Sequence, residues 1–123
     1  MITVVSFGYG HGAPPEADVT LDTRRNLRNP HADPRMRELT GLDQPVRLHV
    51  LDTPGAVRLV EDTADLVTDL HHSTGGPVTV AIGCVGGRHR SVALAEELAA
   101  VLRRDGAKTE VEHRDVHRPV IQH

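Results

Sequence analysis

Apolar residues in this chain fall into runs of two kinds. Ile2 to Phe7 and Val78 to Gly83 are short, unbroken and rich in β-branched side chains, the pattern of strands buried on both faces of a parallel sheet. Ala17 to Asp22 reads as a further strand ending on an acid, and Lys108 to His113 alternates as a last one. Helical spacing appears in Val57, Leu59, Val60, Ala64, Leu66, Val67 and Leu70, with Thr53 as the expected N-cap and Pro54 in the first turn. It appears again in Val92, Leu94, Ala95, Leu98, Val101 and Leu102, within a helix expected from Ser91 to Arg104 and closed by Asp105-Gly106. Pro45 to Leu51 predicts a short helix, Pro14-Pro15-Glu16-Ala17 a single helical turn, and Asp115 to His123 a tail.

Strands alternating with helices predict one α/β domain spanning residues 1–123, with a largely parallel four-stranded sheet and flanking helices. In such folds ligands meet the carboxyl ends of the strands. Three polar segments are expected at that edge: the glycine-rich loop Gly8 to Gly12, the segment Asp22 to His31, and the loop Cys84 to Ser91.

Composition narrows the function classes. One Phe, one Tyr and no Trp leave an aliphatic core and no aromatic platform for stacking bases. A formal charge of −3 does not suit a globally basic nucleic-acid binder. The single Cys cannot form an internal disulfide, and no apolar run approaches a membrane span, so a cytoplasmic protein without membrane contact is expected. Nine His invite a metal reading, but His71 and His72 are adjacent and diverge on a helix, so neither a metal nor another cofactor is expected.

The loop after the Val78 strand carries the chemistry. A phosphate dianion is held most readily by backbone N–H groups at a helix N-terminus. Gly83, Gly86 and Gly87 free the backbone to approach it, Arg90 can clamp two oxygens, and Ser91 can donate a hydroxyl or cap the helix. Arg88 and His89 are expected to add charge at the rim. Cys84 lies six positions before Arg90-Ser91, the spacing of the cysteine-phosphatase signature, in which a thiolate attacks phosphorus. The competing reading, a small buried residue closing the strand, is favoured because free Cys usually behaves as a core hydrophobe. The phosphatase reading needs an acid, for which Asp22, Asp52 and Asp115 are the candidates. Arg24, Arg25, Arg28, Arg35 and Arg37 form a local basic patch that suits either an RNA backbone or solvent.

Ser6-Phe7-Gly8-Tyr9, His11-Gly12, Pro15-Glu16-Ala17-Asp18, Asp22-Thr23-Arg24, Asn29-Pro30-His31, Leu39-Thr40-Gly41-Leu42-Asp43, Gly83 to Val92 and His113-Arg114-Asp115 occur in an order that resembles the C-terminal domain of the RapZ family. These are RNase adapter proteins, also described as nucleotide-binding YvcJ-like proteins. The resemblance implies a phosphofructokinase-like α/β fold, binding of glucosamine-6-phosphate, binding of small RNA in enterobacteria, and self-association as a homo-oligomer. By analogy the sugar-phosphate pocket would use Asp22, Arg24, His31, Val85, Gly86, Gly87, His89 and Arg90. The family's P-loop domain has no counterpart, since no Gly-x-x-x-x-Gly-Lys-Ser/Thr pattern is present; a stand-alone C-terminal domain without nucleotide hydrolysis is expected. Two departures bear on the pocket: Arg24 to Arg28 is more basic than the family's usual segment, and Val85 stands where a Thr is common. The leading expectation is a non-enzymatic sensor or adapter of a phosphorylated small molecule.

Overall fold

The computed structural model describes residues 1–30 and 33–119. Four strands, β1 (Ile2–Gly8), β2 (Val19–Asp22), β3 (Val78–Cys84) and β4 (Thr109–His113), form one sheet in the order β2-β3-β1-β4. Every pairing is parallel. The two most apolar strands are therefore central, where a parallel sheet buries both faces. Three helices complete the domain: α1 (Gln44–Leu51), α2 (Ala56–Thr74) and α3 (Arg90–Arg104).

One face of the sheet carries all three helices. Ile2 and Val4 of β1 and Val78, Val80 and Ile82 of β3 pack in one cluster with Val46 and Val50 of α1, Val60 and Val67 of α2, and Leu94, Leu98 and Leu102 of α3. The long connection from β2 to α1 is pinned to the same cluster by Leu27 and Met36. Phe7, on the opposite face, is fully buried and meets Tyr9 edge to face at 4.8 Å.

Three expectations are corrected. Pro14 to Ala17 makes no helical turn. Each proline disfavours helical geometry in the residue before it, and the chain enters the sheet as soon as it passes them. Asp18 bonds Thr79 both ways, its amide donating to the Thr79 carbonyl at 2.9 Å and its carboxylate accepting the Thr79 amide at 2.8 Å. Thr53 does not cap α2. Its carbonyl accepts the Ala56 amide and its hydroxyl oxygen accepts the Arg28 amide at 3.0 Å, so the helix starts after Gly55, whose φ of 87° redirects the chain. The third correction concerns Asp115 and Val116, assigned to a tail, which are 0% and 5% exposed.

Candidate functional site

The carboxyl ends of β1, β2 and β3 bring the three polar segments together. After β1, a single 3₁₀ turn, Tyr9–His11, places the Gly10 amide 2.9 Å from the Val85 carbonyl. After β2, the Thr23 amide and hydroxyl both donate to the Gly83 carbonyl, at 2.8 Å each. β3 runs into the loop 85–89 and then directly into α3.

Backbone packing shapes that loop. Gly87 has a φ of 68°, and a Cβ on it would lie 2.5 Å from the Gly8 nitrogen and 2.9 Å from the Asp115 Cβ. A Cβ on Gly8 would in turn lie 2.5 Å from the Gly86 carbonyl carbon. Two glycine-bearing segments therefore press main chain against main chain, which side chains would prevent. Gly86 differs, because nothing lies within 4 Å of where its Cβ would be. Among the described residues the amides of Gly86, Gly87, Arg88 and Arg90 have no acceptor. They precede or begin α3, whose dipole places partial positive charge there.

Arg90 is the exceptional side chain. It is only 5% exposed, and its guanidinium donates through Nη1 to the Arg24 carbonyl at 2.8 Å. Among the described residues no carboxylate reaches it. A buried cation without a counter-charge is costly.

Asp22 and Arg24 lie on the same edge. Arg24 donates to Asp22 through Nε at 2.9 Å and Nη2 at 2.6 Å, and its guanidinium stacks over the Tyr9 ring at 3.8 Å. The hydrogen-bonding guanidinium holds the Asp22 carboxyl below the usual carboxylate range. A cavity of about 440 Å³ opens here, lined by Asp22, Arg24, Arg25 and Asn26.

Arg88 and His89 are engaged elsewhere. Arg88 donates to the carbonyls of Glu38 and Leu39, and His89, 6% exposed, places Nε2 3.0 Å from the Arg37 carbonyl. With the Gly41 amide donating to the Arg88 carbonyl at 2.9 Å, these two residues clasp the segment 37–41 against the start of α3. Ser91 does not cap its helix; its hydroxyl lies 3.1 Å from the Cys84 sulfur. His31 lies outside the described residues.

Cys84 is 2% exposed, and its sulfur accepts the Ser91 amide at 3.5 Å. The candidate acids are otherwise committed. Asp22 is bound to Arg24, and Asp52 pairs with Arg28 at 2.9 Å. Asp115, fully buried, accepts the Gly8 amide at 2.7 Å and pairs with Arg114 and Arg118. Burial pushes its carboxyl up, but the bonds from Arg114 and Gly8 and the charges of both arginines outweigh that and leave it lowered. Asp22 and Asp115, held ionised, make poor general acids. In the basic patch, Arg24, Arg28 and Arg35 are each paired with an aspartate.

Residues 1–117 match the RapZ C-terminal domain. The chain belongs to that family. It is 46% identical over 119 residues to a nucleotide-binding protein of Thermobifida fusca, covering 94% of this chain and 40% of the relative. A nucleotide-binding protein of Streptomyces coelicolor is 44% identical over 120 residues, and one of Salinispora tropica 47% over 124, each again covered over 40% of its length. This RapZ C-terminal domain thus spans about two fifths of the curated relatives it matches. No helix among its described residues is long and apolar enough to cross a membrane.

The sequence reading missed Asp115 as the residue that backs the loop. Its signal was the direct succession of His113, Arg114 and Asp115 after the last strand, where a carboxylate can turn back onto the sheet edge.

Proposed function

We propose that this RapZ C-terminal domain is a non-catalytic sensor of a phosphorylated small molecule, an amino-sugar phosphate such as glucosamine-6-phosphate, with the phosphate at the 86–90 loop. The observation that carries the reading is Arg90, a buried guanidinium facing no carboxylate among the described residues, on a helix whose preceding loop holds amides without acceptors. A dianion satisfies both at once. The ionised Asp22 on the same edge suits an ammonium or sugar hydroxyl of the same ligand. The name carried by the relatives, nucleotide-binding protein, also points to a phosphorylated ligand. An adapter role toward RNA draws less support, because Arg24 and Arg28 of the basic patch are already paired with Asp22 and Asp52. Self-association is proposed to use an exposed sheet edge, β4.

Isothermal titration with glucosamine-6-phosphate tests the reading. Removing a charge-assisted bond costs about 1.5–3 kcal/mol, so Arg90→Ala should weaken binding by roughly 10- to 100-fold while the circular dichroism spectrum is kept. Equal affinity in parent and variant, or equal binding of unphosphorylated glucosamine, overturns it.

A further inference from the structure

The second face of the sheet is unusual for its topology. Parallel sheets are ordinarily covered by helices on both faces, yet α1, α2 and α3 all pack on one. Register places Thr3 and Val5 of β1, Thr79 and Ala81 of β3, and Glu110 and Glu112 of β4 together on the other. Towards the carboxyl edge the segment 9–18 and Arg114 shelter this face; towards the amino end Thr3 and Thr79 are half-buried and both glutamates are exposed.

A groove of about 540 Å³ crosses that region, floored by Thr3, Val5 and Thr79, with Pro15 and Glu16 on one wall and Glu112 to Arg114 on the other. Its free charge is negative. Arg114 is neutralised by Asp115 and held by the carbonyls of Gly8 and Ala13, whereas Glu16, Glu110 and Glu112 have no cation within ion-pair distance among the described residues. Neither the same face nor α2 of a second copy complements this: face to face it sets glutamate against glutamate, and the exposed flank of its α2 carries Glu61, Asp62, Asp65 and Asp69. Nor does a polyanion.

We propose that this face receives an amphipathic helix from a partner protein, its apolar side on the Thr3, Val5 and Thr79 floor and Lys or Arg along its flanks against Glu16, Glu110 and Glu112. The helix takes the position that a second helical layer occupies in a doubly wound fold. The groove lies apart from the phosphate loop, so the proposal stands independently of the ligand reading.

The test uses a synthetic sixteen-residue helical peptide of leucine and lysine as probe, titrated into the full chain under NMR observation. The expected shifts concentrate on Thr3, Val5, Thr79 and Glu112. Charge reversal in a Glu16→Lys, Glu112→Lys double variant should weaken binding by about tenfold or more, while Glu61→Lys, Asp65→Lys on α2 leaves it unchanged. Equal loss in both double variants, shifts centred on α2, or a dimer of the chain itself that buries Thr3 and Thr79 would overturn the proposal.

Discussion

Asp115 accepts the Gly8 amide at 2.7 Å across 107 positions of the chain. The bond joins the end of β1 to the segment after β4, and Gly8 and the Asp115 Cβ are the surfaces on which Gly86 and Gly87 rest. The carboxylate therefore backs the loop from beneath. Replacing it with Ala strands a buried amide, which costs about 1–3 kcal/mol. Asp115→Ala should lose that much in urea unfolding and Asp115→Asn less, because an amide oxygen can still accept from Gly8. A loss below about 0.5 kcal/mol, the range of an ordinary surface change, would show that the contact is idle.

Acid should expose the same carboxylate. Its folded-state affinity for protons is lowered, through Arg114, Gly8 and Arg118 prevailing over burial. A depressed carboxyl contributes stability that is present above its unfolded value, about 3.9, and lost as pH falls through the folded one. Unfolding free energy should decline as pH drops below about 5, and Asp115→Asn should flatten part of that decline. Asp22 contributes little to the slope, because its pair with Arg24 is nearly half exposed and screened by solvent. Identical pH profiles for parent and Asp115→Asn would assign the acid sensitivity elsewhere.

The fold was legible where one physical signal acted alone. Ile2 to Phe7 and Val78 to Gly83 are β-branched runs with no competing pattern, and they became the two central strands. Where two signals competed, the sequence misled. Thr53-Pro54 is a sound helix start, but the Thr53 hydroxyl was taken by the Arg28 amide, a contact that spans 25 positions and leaves no local trace. The site was legible at the level of which segments meet, because strand ends define one edge in any parallel sheet. The direction of each side chain was not. Arg88, His89 and Arg90 are consecutive basic residues, yet the first two clasp the carbonyls of residues 37–39 and only Arg90 lies under Arg24.

Neighbouring glycines in the loop should respond differently to one methyl group. At Gly87 the positive φ and the Gly8 nitrogen 2.5 Å away both oppose a Cβ, so Gly87→Ala should cost more than about 1 kcal/mol. At Gly86 the space is open, and Gly86→Ala should fold with nearly parental stability. If the loop amides bind phosphate, that methyl intrudes where the anion approaches, and affinity for glucosamine-6-phosphate should fall although stability does not. Parallel thermal and calorimetric titrations of the two variants separate these effects. Comparable destabilisation by both would contradict the packing described for Gly8.

Cys84 offers a check on the choice between sensor and phosphatase. A nucleophilic thiolate must be reachable by its substrate, whereas this sulfur is only 2% exposed. No carboxyl among Asp22, Asp52 and Asp115 is free of an arginine partner to protonate a leaving group. Under native conditions the thiol should therefore react with a disulfide reagent only as fast as the domain opens, with the rate rising steeply as urea approaches the unfolding midpoint. Generic aryl phosphates should be hydrolysed no faster by the parent than by Cys84→Ser. Rapid modification of the folded protein, together with turnover that vanishes in the serine variant, would mean that the loop opens far enough to do covalent chemistry.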